Sequence, residues 1–335
     1  MFKYSKLVSA LAVAGVSLFG AQAVQAQAQI VKVDGSSTVY PITEAVAEEF
    51  QKAKKNAIKV TVGISGTGGG FKKFCRDEID ISNASRPITE KEMADCKAAG
   101  VNYVEMPVAY DALTIVANPK NTFLKEVTVA EMKTLWEPAA QGKVMKWNQV
   151  NPAWPDAPVK LFGAGADSGT FEYFTEAMVG KAKSSRGDYT ASEDDNVLVQ
   201  GVSRDVNAIG YFGYAYYAEN MAKLKGVPVV NPKTGKAVEP SAANVENGTY
   251  APLSRPIFIY VKVKSLDKPE VKEFLEFYMK HGAKLTKEVK YVPLPAAAYT
   301  GNIDHVNKKK YGTVFGGKNE IGITIEELMK REAKM

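Results

Sequence analysis

Short apolar runs alternate with helical apolar spacing in the first part of the chain. Strands are predicted at residues 30–33, 59–63 and 79–84, where apolar runs end at turn-forming residues. A helix is expected from Pro41, because proline suits a first helical turn and apolar residues recur on one face, namely Ile42, Ala45, Val46 and Phe50. The glycine tract 66–70 is interpreted as a turn that leads into a helix. This βαβα order predicts a mostly parallel sheet covered by helices.

The later pattern predicts a second α/β unit. Its strand is expected at 159–163 and its helix at 171–179. Capping boxes, which pair Thr with Glu three residues later, predict helix starts at Thr89, Thr128 and Thr324. The final helix is expected to return to the first unit.

The length of 335 residues exceeds one ordinary hydrophobic core, so two lobes are expected. Long apolar stretches at 104–117 and 252–263 are interpreted as the two crossings between them. On this interpretation residues 27–108 and 262–335 form lobe 1, and residues 109–261 form lobe 2.

The N-terminus has the pattern of a secretory signal peptide. Lys3 and Lys6 precede an apolar run at 7–20, and small residues follow, with cleavage expected near Ala23 to Ala28. The alternative, a membrane anchor, needs about 20 apolar residues, and this run is shorter. Residues 1–26 are therefore predicted to be removed, and the mature protein is predicted to be soluble and periplasmic.

Composition and charge limit the kinds of ligand that the protein is expected to bind. The formal charge is +6, and loss of the two signal lysines leaves +4, which suits an anionic ligand. The basic clusters lack the aromatic-rich motif of a nucleic-acid module. His281 and His305 are too far from the two cysteines in sequence for a zinc-ligand spacing. Cys75 and Cys96 form either one disulfide, because export favours it, or a pair of buried free thiols.

Four short segments place small or hydroxyl-bearing residues where a strand ends and a helix can begin. They are 35–38, 66–70, 84–86 and 167–170. In an open α/β sheet such loops meet at the carboxyl ends of the strands, where ligands bind. The segments predict an anion cage of N–H groups and hydroxyls with one guanidinium, Arg86, whose fork matches a tetrahedral oxyanion; the alternative for Arg86 is a salt bridge.

At these residues the chain resembles the phosphate-binding subunit of the high-affinity phosphate ABC transporter. The resemblance rests on DGSSTVYP at 34–41, ISGTGGGF at 64–71, ASRPI at 84–88, DSGTF at 167–171 and NAIGYFG at 207–213. It implies the type II periplasmic binding-protein fold: two lobes, each a mostly parallel sheet flanked by helices, joined by a two-segment hinge. It also implies a monomer without cofactor that binds inorganic phosphate and meets the membrane subunits of the transporter. The implied donors to phosphate are Ser37, Thr38, Thr67, Ser85, Ser168, Gly169 and Thr170.

The chain departs from well-known members of that family at two positions. Ser85 stands where they have an aspartate, and Ala164 stands where they have an arginine. Arg86 is proposed to replace that arginine from the other lobe. Asp167 and Asp34 are the candidate acceptors of the phosphate proton, and each has an alternative role as a turn or cap residue.

Other functions compete with phosphate capture as interpretations of the sequence. Sulfate, molybdate and phosphonate binding stay open, because a carboxylate aimed into the site would be needed to favour a protonated anion. A phosphatase-like hydrolase is disfavoured, since Ser168 lacks the G-x-S-x-G elbow and no histidine is near the four segments in sequence. The prediction is a binding protein, not an enzyme.

Overall fold

The computed structural model describes residues 29–166, 168–192, 194–318, 320 and 323–334. The predicted signal peptide and Asp167 lie outside these residues. Within the described ranges, no helix combines the length and apolar character needed to cross a membrane.

The elements follow the predicted alternation of strands and helices. The first are β1 (Gln29–Gly35), α1 (Tyr40–Ala53), β2 (Ile58–Val62), α2 (Gly66–Cys75), β3 (Ile81–Ala84), α3 (Glu90–Ala98) and β4 (Tyr103–Ala117). The middle of the chain forms α4 (Val129–Trp136), β5 (Lys160–Ala164), α5 (Gly169–Phe174), β6 (Thr190–Ser192), α6 (Asp195–Arg204), β7 (Ala208–Gly213), α7 (Tyr214–Glu219), β8 (Lys225–Gly226), β9 (Val229–Val230), β10 (Ala237–Val238) and α8 (Ala242–Glu246). The last are β11 (Ser254–Lys262), α9 (Pro269–Glu288), β12 (Val292–Pro293), α10 (Ala296–Asn307) and α11 (Ile325–Ala333).

The sheet has two parallel parts joined by antiparallel strands. Along its main path the strand order is β2-β1-β3-β11-β4-β7-β5-β6. We call β1, β2 and β3 the first half-sheet and β5, β6 and β7 the second half-sheet; pairing within each is parallel. This confirms the predicted α/β class with a parallel sheet in each half, while the antiparallel pairs of β4 and β11 make the whole sheet mixed.

The crossing at 104–117 is one strand. All 15 residues of β4 are buried. Its first part pairs with β11 from Tyr103 to Ala112, and its last part pairs with β7 from Leu113 to Ala117. Because it pairs with both sides in turn, β4 carries the sheet from the first half to the second. β11 is the second crossing strand and also pairs with β3.

Helix α1 is amphipathic, and its predicted core face is buried. Ile42, Val46 and Phe50 are fully buried, and Phe50 packs edge-on against Phe274 of α9 with ring centroids 5.3 Å apart. The last third of the chain therefore returns to the first half-sheet, as expected.

Helix starts and cross-links follow the sequence signals. Thr89 and Thr128 form reciprocal capping boxes with Glu92 and Glu131, and the Thr324 side chain accepts a bond from the N–H of Glu327. Cys75 at the end of α2 forms a disulfide with Cys96 of α3. The disulfide prediction is confirmed, and the free-thiol alternative is wrong.

The glycine tract was interpreted incorrectly as a turn. Residues 66–70 form the first part of α2, not a loop before it. A Cβ on Gly70 would lie 2.6 Å from Gly35 Cα and 2.7 Å from Ser82 Oγ. Glycine is therefore needed for α2 to pack this close to β1 and β3.

Candidate anion-binding site

Three helices begin at the predicted site segments. α1 starts immediately after segment 35–38, Thr67 is the second residue of α2, and α5 starts at Gly169. The backbone N–H groups of a first helical turn lack partners within the helix and lie at the positive end of its dipole. Such helix starts attract anions.

The first and fourth segments touch each other. A Cβ on Gly169 would overlap Thr38 Oγ1 and would lie 3.2 Å from Ser37 Oγ. Helix α5 packs on the second half-sheet. Its start therefore joins that half-sheet to the loop at the end of β1. This contact joins the two halves of the molecule at the predicted site.

The Thr38 hydroxyl at this contact is buried. Thr38 is 7% exposed, and its Oγ1 has no hydrogen-bond partner among the described residues. Its backbone N–H donates to Ser36 Oγ at 3.2 Å, which fixes the loop. A buried hydroxyl without a partner costs free energy, so Thr38 has unused capacity to donate to an oxyanion.

The second and third segments are linked by hydrogen bonds. The Ser85 backbone N–H donates to Thr67 Oγ1 at 3.1 Å, and the Thr67 and Ser85 hydroxyls are 3.0 Å apart. The first segment joins them, since the Ser36 N–H donates to the carbonyl of Asn83. The structure thus brings all four predicted segments together.

The N-cap of α5 fixes the remaining donors. Ser168 Oγ accepts from the N–H of Thr170 at 3.1 Å. The Ser168 hydroxyl proton stays directed away from the helix N–H groups and can donate to a ligand. Ser168, Gly169 and Thr170 are all half-buried. Asp167, the remaining member of this segment, lies outside the described residues.

Arg86 forms a bidentate ion pair with Glu92. Its two terminal nitrogens donate to the two carboxylate oxygens at 2.9 Å each. Burial opposes the charge on both groups, but their mutual hydrogen bonds win, so the pKa of Glu92 is lowered and the pKa of Arg86 is raised. Arg86 also lies 3.9 Å from the position of a Cβ on Gly68. The salt bridge weighed for Arg86 is therefore present, and its contact with an anion stays a prediction.

Asp34 is engaged by its neighbours. Lys73 of α2 donates to Asp34 Oδ2 at 2.6 Å, and the Ser65 hydroxyl donates to Oδ1. The carboxylate thus ties α2 to the end of β1. This geometry favours a structural role for Asp34, and the role of Asp167 as acceptor of a phosphate proton stays a prediction.

Two residues of the site were missed from the sequence. Glu92 was recognised only as a helix-capping residue, yet the same carboxylate also holds Arg86. Lys73 stands in one of the basic clusters of the sequence, where a solvated side chain is expected, yet it neutralises Asp34. The one available signal was spacing, because Glu92 follows Arg86 by six residues across a predicted helix start.

Metal coordination finds no support in the side-chain geometry. Among the residues that the structure describes, no group of three or more His, Cys, Asp or Glu side chains could hold a metal ion.

Comparisons with known proteins identify the family of the chain. A family profile described as "PBP superfamily domain" matches residues 20–281. Protein SphX of Synechococcus elongatus is 53% identical over 322 residues, which cover 96% of this chain and 94% of that protein. A protein named "Phosphate-binding protein PstS" from Staphylococcus saprophyticus is 40% identical over 273 residues, which cover 81% of this chain and 82% of that protein. Among solved structures, the crystal structure of a possible phosphate binding protein from Planctomyces limnophilus matches with a TM-score of 0.77 and 52% sequence identity. The match covers 84% of this chain and 99% of that chain.

Proposed function

The chain belongs to the PBP superfamily and, within it, to the phosphate-binding proteins, and from that membership we propose that it captures inorganic phosphate for an ABC importer. The membrane subunits of that importer are its proposed partners. The protein is exported, acts as a monomer, and binds its ligand between lobe 1, residues 27–108 and 262–335, and lobe 2, residues 109–261.

One observation supports this proposal above the others. The start of α5 packs on the loop after β1 at Thr38, whose buried hydroxyl has no partner among the described residues. Helices from both halves of the sheet begin at the predicted segments, and on this proposal their first N–H groups donate to the ligand from several sides. A small tetrahedral oxyanion matches such a set of converging donors.

Each proposed donor has a defined part. Ser37, Thr38, Thr67, Ser85, Ser168 and Thr170 donate from hydroxyls, and Gly169 donates from its backbone N–H. Arg86 supplies positive charge from the edge of the site, where Glu92 orients it. Asp167 accepts the proton of hydrogen phosphate and so disfavours sulfate, which has no proton to donate.

A hydrolytic function lacks the groups it needs. Both histidines of the chain lie on helices of the last third, His281 on α9 and His305 on α10, whereas the site is built from the starts of α1, α2 and α5 and the end of β3. A serine nucleophile requires a general base within hydrogen-bond reach. The hydroxyls at this site therefore serve binding.

Calorimetric titration tests the proposal. The protein is unfolded and dialysed to remove carried-over ligand, refolded, and titrated first with phosphate and then with sulfate. We expect tight, one-to-one phosphate binding and much weaker sulfate binding. Equal affinity for the two anions would contradict the role given to Asp167, and absence of phosphate binding would contradict the function. Release of phosphate from a generic phosphate ester would instead support the hydrolase.

A further inference from the structure

A buried pair of side chains lies directly behind the Arg86 loop. Tyr260 of β11 and Glu105 of β4 are opposite each other in the antiparallel ladder, and they are 0% and 5% exposed. The Tyr260 hydroxyl donates to Glu105 Oε2. The same hydroxyl accepts a hydrogen bond of 2.9 Å from the backbone N–H of Ile88. Since Ile88 follows Arg86 by two residues, this hydroxyl anchors the loop that carries Ser85 and Arg86.

The Tyr260 ring reaches the glycine-rich helix as well. It packs edge-on against Phe71 of α2, with ring centroids 4.8 Å apart. The guanidinium carbon of Arg86 lies 5.9 Å from the centre of the Phe71 ring. Tyr260 therefore contacts two elements that follow β1: helix α2 through its ring, at Phe71, and the Arg86 loop through its hydroxyl.

We propose that Tyr260 is a positioning residue for anion capture and that Glu105 holds it in place; the inference rests on the function proposed above. The tyrosine acts through the residues that its hydroxyl and ring contact, namely Ile88, Glu105 and Phe71. Its effect follows from geometry, because converging donors must be held within about 0.5 Å of their productive positions. Loss of the hydroxyl removes the partner of the buried Ile88 N–H and one of the hydrogen bonds to Glu105, and the loop shifts to satisfy the N–H.

The carboxyl of Glu105 links this support to pH. Burial raises the pKa of Glu105 to about 7, although hydrogen bonds from neighbouring groups lower it in part. The titratable or polar groups that face it are Tyr103 on its own strand, Tyr260 on β11, Thr313 and the Val314 N–H before α11, and Glu332 on α11, which is itself next to Lys310. Above neutral pH the ionised carboxylate accepts a stronger, charge-assisted bond from Tyr260 than the neutral acid does.

The first test removes the hydroxyl alone. Tyr260→Phe is compared with Tyr299→Phe, a matched control whose buried hydroxyl also bridges two backbone groups, the Leu294 N–H at 3.4 Å and the Val108 carbonyl at 2.8 Å. By calorimetry at pH 8 we expect Tyr260→Phe to weaken phosphate binding about fivefold and Tyr299→Phe by less than about twofold. Equal affinities of the two variants, with a wild type that binds phosphate, would overturn the inference.

The second test uses a readout that a purely structural role does not move. The phosphate dissociation constants of Glu105→Gln and wild type are measured from pH 6 to 8.5, and their ratio is taken because phosphate changes its own protonation in this range. We expect a ratio near one at pH 6 that rises to about threefold at pH 8.5. A ratio that does not change with pH would overturn the inference.

The two proposals fail in distinguishable ways. If the wild type binds no phosphate at all, the proposed function fails and this inference fails with it. If the wild type binds phosphate but both variants match their controls, only the positioning role is overturned. Should Tyr260→Phe fail to fold, the pH ratio of Glu105→Gln decides alone.

Discussion

At the scale of single residues, Thr38 offers the sharpest test of the site. Its buried hydroxyl has no partner among the described residues, so it contributes little to the ligand-free fold and gains a partner on binding. We expect Thr38→Val to weaken phosphate binding about fivefold to tenfold, as loss of one hydrogen bond to a charged group implies, while the free energy of unfolding without ligand does not fall. Calorimetry and urea unfolding measure the two effects.

A matched substitution separates this effect from a general threonine effect. Thr300 lies on the exposed side of α10, and its hydroxyl bonds within the helix to the Ala296 carbonyl. Thr300→Val should leave phosphate affinity unchanged. If Thr38→Val binds phosphate as tightly as Thr300→Val does, the Thr38 hydroxyl is not a ligand.

Arg86 and Glu92 require a double substitution, because the two are paired. Arg86→Ala should weaken phosphate binding roughly tenfold, but it also leaves the Glu92 carboxylate uncompensated near the site. The variant Arg86→Ala with Glu92→Gln removes that repulsion. If Arg86 contacts the anion, the double variant stays weak in calorimetry. Recovery of wild-type affinity in the double variant would show that Arg86 serves only to neutralise Glu92.

The donors and their supports differ in how well the sequence predicts them. The meeting of the segments that carry Ser37, Thr38 and Thr67 could be predicted, because their residue types and their places between strands and helices carry the signal; their contact with phosphate stays a prediction. Glu92 and Lys73 could not be predicted, since a charged residue on a helix is usually solvated, and its pairing depends on how the helix is placed in three dimensions. The sequence leaves the role of Asp34 open, because its partners depend on how the helices are placed. In the structure its carboxylate pairs with Lys73.

At the scale of elements, two features could not be predicted from the sequence: the helical state of the glycine tract and the change of pairing partner within β4. Glycine has low intrinsic helix propensity, so the tract 66–70 favoured a turn; in the structure tight packing on β1 outweighs that preference. Strand β4 is buried along its whole length. It therefore shows no alternation of polar and apolar positions, and its change of partner at Leu113 leaves no mark in the sequence.

The disulfide stabilises the first half-sheet by joining α2 to α3. Replacement of Cys75 and Cys96 by serine should lower the free energy of unfolding by on the order of 3 kcal/mol in the chain-entropy model. The measurement is urea unfolding with and without reducing agent. The serine variant should not respond to the reductant, whereas the wild type should lose a similar amount. Two alkylatable thiols in native, exported protein would contradict the pairing.

The last helix makes stability depend on pH through Glu332. Its side chain is 5% exposed, and burial, with a smaller contribution from nearby Glu105, raises the pKa of Glu332 to about 8. A carboxyl group whose pKa is raised in the folded state contributes stability that is fully present below its unfolded pKa. That stability is lost as pH rises through its folded pKa. The free energy of unfolding should therefore fall between about pH 5 and pH 8.5.

Glutamine at this position removes the titration. Glu332→Gln should reduce the pH dependence, while the contribution of Glu105 remains, and should stabilise the protein by on the order of 2 kcal/mol at pH 8.5. Glu326→Gln on the same helix is the control, because Glu326 is exposed and pairs with Lys330; it should leave the pH slope unchanged. Equal slopes for wild type and Glu332→Gln would show that Glu332 ionises normally.

At the scale of the whole molecule, one sheet connects both halves, and among the described residues the strands that link the two half-sheets along its main path are β4 and β11. The anion segments come from both sides of these strands. Their contact at Thr38 and Gly169 describes a closed arrangement. Capture of a buried anion requires an open one as well, so the two crossing strands are the expected hinge.

Closure can be measured by small-angle scattering. The ligand-free protein should be open, and phosphate should reduce its radius of gyration toward the value of about 19 Å expected for a compact chain of this size. Gly169→Ala is the matched variant, because its added methyl group would overlap Thr38 Oγ1 and block the closed form. Its radius should stay near the open value when phosphate is added, and its phosphate affinity should fall. An unchanged radius in wild type with binding shown by calorimetry would count against the hinge, and full compaction of Gly169→Ala would place the closing contact elsewhere.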